Sequence, residues 1–185
     1  MSTQHKNIVE ADLHEPKGAS TSSINEVYFA DGLGSGDFVI PVAHAACYHT
    51  ATGGTSDTPA LADTWEVLGL TTTANGLVEF THTSPSKFTY TGAADRHAMV
   101  TFNMSFEATS VAGTALFAVY LNGVKEAASE SRRYFANGTA GVVSIDWDLD
   151  IVTGDYIEIW WAHETTARAC TIYHTYMTIQ AHVEN

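Results

Sequence analysis

The sequence predicts an all-β protein, an antiparallel β-sandwich of jelly-roll type with an extended N-terminal arm. Three observations carry this prediction. Several segments alternate strictly between apolar and polar residues, which is typical of strands with one buried face. Dipeptides that favour tight turns separate these segments. No stretch repeats its apolar residues with a sustained helical period.

The clearest alternation lies in residues 97–108 and 143–151. In the first segment one face carries Ala98, Val100, Phe102, Met104 and Phe106, and the other face is polar except for Met99. In the second segment one face carries Val143, Ile145, Trp147, Leu149 and Ile151, opposite Ser144 and three aspartates. We therefore expect both segments to be half-buried antiparallel strands.

Further strands are predicted by the same criteria. They are residues 38–50, 61–70, 77–81, 87–91, 114–121, 131–136, 155–162 and 168–183. The turn signals between strands are Asn75-Gly76, Asn122-Gly123, Asn137-Gly138 and Gly154-Asp155. About eight to ten strands without an internal repeat favour a jelly-roll sandwich over a propeller or a solenoid.

The net negative charge of the chain disfavours partners that are themselves strongly negative. Its 185 residues include 8 Lys and Arg against 21 Asp and Glu, a formal net charge of −13. Such a field repels phosphate backbones and anionic lipids, so we expect neither a nucleic-acid nor a membrane partner. The first ten residues have no apolar core, and no apolar run approaches membrane-spanning length, so we expect synthesis in a cytoplasm.

The leading segment differs from the rest of the chain. Between Glu10 and Asn25 its only large apolar side chains are Leu13 and Ile24. A segment with so little apolar area cannot offset the entropy that it loses on ordering. We therefore predict that residues 1–43 form an arm that orders against another surface, and that residues 44–185 form the folded domain.

Part of this leading segment resembles known virion proteins. Residues 5–20, HKNIVEADLHEPKGAS, and residues 27–38, VYFADGLGSGDF, are similar to the start of tailed-bacteriophage capsid decoration and head-fibre proteins. A Leu-His-Glu-Pro-Lys-Gly peptide followed by Val-Tyr and a glycine-rich stretch is shared with that family.

The remainder resembles a tumour-necrosis-factor-like (complement-type) jelly roll. The similar segments are KFTYTG at 87–92, VVSIDWDLDIVTGDYIEIWW at 142–161 and TIYHTYMTIQAH at 171–182. In that family a hydrophobic strand, a Gly-Asp turn and another strand recur in this order.

Together the two resemblances imply a structural protein of the virion. They imply a homotrimer on the outer surface of a phage capsid, made in the host cytoplasm, that binds the major capsid protein and stabilises the shell. The residues that they assign to capsid binding are Leu13, His14, Glu15, Pro16, Lys17, Gly18 and Tyr28.

Catalytic, metal and cofactor sites are not expected. The nine histidines are scattered, and no metal-ligand spacing links them to Cys47 or Cys170, whose pairing the sequence leaves open. Aspartates on one strand face point in parallel, whereas calcium requires oxygens from several directions. Asp150 and Asp155, on either side of the Gly154 turn, are the best-placed exception.

Aromatic residues in the last two predicted strands suggest an interface. Both strands carry large side chains on both faces, more than one sandwich core requires. We assign the second layer to a threefold interface, where aromatic residues are enriched. The residues are Tyr156, Trp160, Tyr173 and Tyr176. A role confined to the core and a sugar-stacking platform are the alternatives.

A carbohydrate-binding module of a phage fibre is the main rival function. It predicts that Trp160, Trp161 or Tyr134 is exposed beside polar residues in a shallow groove. Weak binding to host surface glycans is also compatible with a decoration protein.

Overall fold

The computed structural model describes residues 27–30, 36–39, 42–59, 61–109, 112–164 and 169–183. The chain divides into two units, Met1–Pro41 and Val42–Asn185. In the first unit β1 (Val27–Ala30) pairs antiparallel with β2 (Gly36–Val39), with Tyr28 opposite Phe38. The predicted capsid-binding residues 13–18 lie outside the described residues.

The second unit is built from two antiparallel sheets. Its elements are β3 (Val42–Asp57), β4 (Glu66–Val67), β5 (Thr73–Ala74), β6 (Phe80–Thr83), β7 (Lys87–Tyr90), β8 (Arg96–Ala108), β9 (Gly113–Leu121), β10 (Val124–Lys125), a 3₁₀ turn (Ala127–Ser129), β11 (Ser131–Phe135), β12 (Ala140–Ile151), β13 (Tyr156–His163) and β14 (Cys170–Val183). Within the described residues, no helix is long and apolar enough to cross a membrane.

The five-stranded sheet has the order β12-β8-β14-β3-β5. The seven-stranded sheet has the order β10-β9-β13-β7-β6, with β11 also paired to β9 and β4 also paired to β13. Consecutive strands such as β8 and β9, or β13 and β14, therefore lie in opposite sheets. This alternation between sheets gives the predicted jelly-roll sandwich.

The core lies between the sheets and follows the alternation in the sequence. Val100, Phe102 and Phe106 of β8 are buried against Phe117 and Trp161 of the other sheet. Met99 is exposed on the opposite face of β8, as the pattern predicts. Burial of large apolar side chains, worth about 1.5–3 kcal/mol each, is the main source of stability for such a domain.

One predicted turn has the expected hairpin geometry. Asn122 and Gly123 join β9 to β10 with φ of 53° and 76°. Positive φ at both central positions is characteristic of a type I′ turn, whose twist matches that of paired strands. The Asn122 side chain also donates from Nδ2 to Asp155 at 2.7 Å, so the turn is tied to the start of β13.

Two predicted strands differ from the structure. Of residues 61–70 only Glu66–Val67 is a strand; the residues at 61–63 turn, and Leu68 and Leu70 are buried in the core without joining a ladder. The predicted strand 38–50 is two elements, β2 ending at Val39 and β3 beginning at Val42, and β3 continues to Asp57. The sequence between them contains Pro41, which has no backbone N–H to donate to a ladder.

A buried ion pair links the sheets at one end of the sandwich. The Arg96 guanidinium, on β8, donates to Glu79 at 2.5 Å, to the Tyr90 hydroxyl at 2.7 Å and to the Ala181 carbonyl at 3.3 Å. The Arg96 side chain is fully buried, and its contacts come from both sheets. An arginine in the core is tolerated here because its donors are shared among several acceptors.

Candidate functional site

The outer face of the five-stranded sheet contains a groove of about 380 Å³. It crosses three adjacent strands, since Tyr48 of β3 lies opposite Tyr176 of β14, and Tyr176 lies opposite Asn103 of β8. The lining residues are Tyr48, His49, Thr50, Asn103, Met104, Ser105, Val142, His174, Thr175 and Tyr176. We call this the tyrosine groove.

Two irregularities in neighbouring strands form the groove. On β14 one extra residue lies between Ile172 and His174, while their partners Phe106 and Ser105 are consecutive on β8. On β3 their partners are Thr55 and Thr50, so residues 51–54 bulge out of the ladder. A bulge bends the strand and redirects side chains, which opens a depression in an otherwise continuous sheet.

The bulge on β3 depends on a glycine. Gly54 has φ of +72°, and a Cβ at this position would lie 2.0 Å from Cγ2 of Thr171. Nearby, His49 donates from Nδ1 to the Thr71 carbonyl at 2.9 Å, because a carbonyl only accepts. Its Nε2 then accepts from the Thr55 hydroxyl at 3.0 Å, which ties the two ends of the bulge together.

The outer face of the five-stranded sheet carries several exposed apolar side chains. Among the described residues ten large hydrophobic side chains are exposed, and five of them lie on this sheet face. They are Val42, Tyr48, Met99, Val142 and Tyr176, with 37–57% of each exposed. Tyr48, Val142 and Tyr176 line the groove, whereas Val42 and Met99 lie further along the strands. Scattered exposed apolar residues are ordinary, whereas a group that lines one groove is typical of an interaction surface.

The same face carries negative charge along its β12 edge. Asp146, Asp148 and Asp150 are all exposed and point outward. Asp146 accepts from the Thr101 hydroxyl at 2.8 Å, and Asp150 accepts from Nδ1 of His97 at 2.9 Å. We call these three residues the aspartate row; it lies on the same sheet face as the tyrosine groove.

Part of the seven-stranded sheet, around Tyr120, is covered by the chain itself. Trp160 stacks on Tyr120 with ring centroids 4.3 Å apart, and Trp65 lies 6.0 Å from Tyr120. Lys125 places Nζ 4.3 Å from the Trp65 ring and 2.6 Å from Glu130. These residues form an aromatic layer over the sheet without any second chain.

The four residues predicted to form a trimer interface fall on both sheets. Tyr156, half-buried with Lys87 Nζ 3.4 Å from its ring centroid, and Trp160 belong to the seven-stranded sheet. Tyr173 occupies the β14 bulge and donates its hydroxyl to Glu107 at 2.9 Å. Tyr176, 45% exposed, lines the tyrosine groove.

The described part of the chain brings few chemically reactive groups together. It contains no cluster of three His, Cys, Asp or Glu side chains placed to hold a metal ion. Asp155 accepts from Asn122 and from the Val152 amide at 2.8 Å, while Asp150 contacts His97, so the two carboxylates have separate partners.

Both cysteines are free and buried, so they do not pair. Burial raises the pKa of Cys47 to about 11, against a smaller opposing effect of its contact with Thr72. Burial, reinforced by the charge of Asp57, raises the pKa of Cys170 to about 12. Thiols with such pKa values are protonated at neutral pH and react poorly as nucleophiles.

Sequence reasoning missed several residues of the groove. His49 and Thr50 lie at the end of the predicted strand 38–50, without any signal of a site, and Asn103 and Ser105 are ordinary polar positions of an alternating strand. The repeated small residues ATGG at 51–54 are the one signal that could have indicated a bulge.

Comparisons with known proteins establish the fold. The structure matches "Eiger TNF from S. frugiperda" with a TM-score of 0.50 and 10% identity, over 78% of this chain and 94% of that chain. The globular domain of zebrafish complement 1qA matches with a TM-score of 0.47 and 12% identity, over 77% and 98% of the two chains. Murine APRIL matches with a TM-score of 0.45 and 9% identity, over 76% and 99%.

No protein-family model and no curated protein matches the sequence. At these identities the structural likeness concerns the fold alone. The predicted all-β, tumour-necrosis-factor-like jelly roll is thereby confirmed for the part of the chain that the matches cover.

Proposed function

We propose that the protein is a homotrimeric structural component of a phage virion, a decoration or head-fibre protein. It binds the major capsid protein on the outer capsid surface through its N-terminal segment. The resemblance of residues 5–20 and 27–38 to virion proteins supports the capsid partner. The jelly-roll fold and the exposed apolar face of the five-stranded sheet support self-association.

The observation that carries self-association is the clustering of exposed apolar residues on one sheet face. Tyr48, Tyr176 and Val142 surround one groove, where a second protein surface would remove them from water. Tyrosine suits such a contact, because it buries a large ring while its hydroxyl keeps a hydrogen-bonding partner. On the seven-stranded sheet the equivalent aromatic rings already pack on one another.

The proposed mechanism is adhesion by three linked arms. Each arm contributes one apolar anchor, Leu13, beside charged groups from His14, Glu15 and Lys17. Joining three arms in one trimer converts the second and third contacts into intramolecular events, which raises the overall affinity well above that of one arm. Arms bound to neighbouring capsid subunits would resist their separation and so stabilise the shell.

The capsid contact is tested with the full chain. We expect the Leu13→Ala, His14→Ala, Lys17→Ala triple variant to bind purified capsids much more weakly in co-sedimentation, with its mass in solution unchanged. The matched control is Ser22→Ala, Ser23→Ala, which changes the same segment without removing an anchor. Undiminished binding of the triple variant would refute the anchoring role of these residues.

Glycan binding is the second candidate, favoured by one residue. Tyr134, on β11, is 66% exposed beside Arg132 and Arg133, an arrangement on which a sugar ring could stack. Trp161, also considered for this role, is fully buried in the core. A glycan array with wild type and Tyr134→Ala tests this function: a signal that the substitution abolishes would support glycan binding at Tyr134, and no signal from the wild type would refute it.

A further inference from the structure

The aspartate row restricts how two copies can meet. If the five-stranded sheet faces of two copies packed on each other, the two sets of Asp146, Asp148 and Asp150 would approach one another. Like charges that are brought together and desolvated oppose association. A closed trimer also requires two different patches on each chain, one meeting the other around the ring. The partner patch must therefore be another part of the surface, with apolar and positive character.

One described segment has both properties. The structure describes five Lys and Arg side chains. Arg96 is buried, Lys87 lies over the Tyr156 ring, and Lys125 makes a part-buried contact with Glu130. The other two, Arg132 and Arg133, are adjacent and exposed on β11. Tyr134, which follows them, is one of the most exposed large hydrophobic residues.

Building on the proposed trimer, we propose that the β11 segment Arg132–Tyr134 of one copy docks on the five-stranded sheet of the next. The Tyr134 ring enters the tyrosine groove, and Arg132 contacts the aspartate row. This assigns the occupant of the groove to a defined segment of a second copy.

The spacing of the two surfaces agrees with this arrangement. Tyr134 and Arg132 are two residues apart on one side of a strand, a separation of about 6.7 Å. On the receiving face, Ser144 lies opposite Asn103 beside the groove, and Asp146 is two residues further along β12, again about 6.7 Å away. In the proposed contact the Tyr134 ring lies beside Asn103 and β11 runs along β12, so that Arg132 reaches the level of Asp146.

Arg132 has a partner within its own chain, the exposed carboxylate of Glu164. Both side chains of this pair are exposed, and exposed ion pairs are weak, at about 0–1 kcal/mol. Their contact therefore leaves the guanidinium free to share its remaining donors with an aspartate of a neighbouring copy.

A charge-reversal exchange tests the docking in the full chain. We expect Arg132→Glu, Arg133→Glu and, separately, Asp146→Lys, Asp148→Lys to raise the concentration for half-assembly roughly tenfold or more. Combining all four substitutions restores opposite charges across the contact, and we expect assembly to recover toward the wild-type value in analytical ultracentrifugation. Far-ultraviolet circular dichroism verifies that each variant is folded.

The outcomes separate this inference from the proposed trimer. A monomeric wild type refutes the trimer itself. If the wild type is trimeric but the variant with all four substitutions assembles no better than either double variant, only the docking of β11 is refuted.

Disulfide trapping gives a second, geometric test. Tyr134→Cys with Thr50→Cys, on the far wall of the groove, should yield covalent dimers and trimers on a non-reducing gel after mild oxidation. The control pair, Tyr134→Cys with Thr91→Cys, places its second thiol at an exposed residue away from the groove and should remain uncrosslinked. Absence of covalent trimers from the first pair, in a trimeric protein, would overturn the proposed contact.

Discussion

The ring of Trp160 stacks on the ring of Tyr120 within one chain, with centroids 4.3 Å apart and planes inclined by 11°. Trp160 also donates from Nε1 to Glu158 at 3.1 Å. This contact covers the seven-stranded sheet from within the molecule. It gives Trp160 a stabilising role that does not require the threefold interface to which the sequence assigns it.

Replacing Trp160 by alanine should therefore reduce stability more than assembly. We expect the free energy of unfolding to fall by about 2 kcal/mol, because a half-buried ring and its stacking partner lose contact. Urea unfolding followed by tryptophan fluorescence measures the loss, and mass photometry measures the oligomer. A variant of unchanged stability that falls apart into monomers would instead place Trp160 in the interface.

Replacing Tyr176 by aspartate should have the opposite effect. The new carboxylate would stand in the tyrosine groove beside the aspartate row, so we expect the trimer to weaken at least tenfold while the chain stays folded. Val124→Asp is the control: Val124 is an exposed apolar residue on β10, away from the groove, with 67% of its surface exposed against 45% for Tyr176. Equal assembly of the two variants, measured by light scattering, would remove the groove from the interface.

Replacing Arg96 by methionine should destabilise the sandwich strongly. The substitution leaves the Glu79 carboxylate without its buried partner, and breaking such a pair costs about 3–5 kcal/mol. Adding Glu79→Gln should recover part of that loss, because no unpaired charge then remains. Both variants are compared by denaturant unfolding; a double variant no more stable than Arg96→Met would contradict this account.

Alkaline pH should destabilise the protein through its buried thiols. Burial raises the pKa of Cys47 from 9.0 to about 11 and that of Cys170 from 9.0 to about 12, so the folded state holds protons that the unfolded state releases. Stability is therefore complete below pH 9 and falls as the pH rises from about 9 toward 11–12. The midpoint of thermal unfolding should decrease over this range.

The Cys47→Ala, Cys170→Ala variant tests the origin of that decrease. We expect its unfolding midpoint to fall less steeply above pH 9 than that of the wild type. The same thiols should resist alkylation at pH 8 in the native protein and react after denaturation. Rapid labelling of the folded protein would contradict their burial.

Replacing Gly54 by alanine should collapse the bulge of β3. A Cβ there meets Thr171 at 2.0 Å, and the φ of +72° disfavours any residue with a side chain. We expect a loss of at least about 1–3 kcal/mol, together with weaker assembly, since the groove wall moves. Gly53→Ala is the control, because nothing lies within 4 Å of a Cβ at that position.

The sequence predicted the sandwich where its strands alternate regularly. In β8 and β12 every second residue faces the core, so the inward and outward faces could be read directly from residues 97–108 and 143–151. The prediction was wrong at residues 61–70, where Leu68 and Leu70 are buried in the core although only Glu66–Val67 is a strand. Trp65, which joins Tyr120 and Trp160 there, carries no local signal of its distant partners.

The candidate site was less predictable, because it depends on irregular pairing. Strict alternation in β14 would place Ile172 on the same face as His174 and Tyr176, whereas Ile172 is fully buried and the other two are exposed. The extra residue of the bulge reverses the assignment before His174. The composition of β14 does not indicate where the extra residue lies, because the pairing register of β14 depends on its two neighbours, β3 and β8.

The extra residue in β14 also has a consequence for comparing this chain with distant relatives. Before it, even-numbered positions point inward; beyond it, odd-numbered positions do. In a relative that lacks this residue, the counterparts of Tyr176 and Gln180 would face the core. An alignment shifted by one position would likewise match surface positions of one chain with core positions of the other. Sequence conservation in this strand should therefore be assessed with the core-facing positions assigned separately before and after Tyr173.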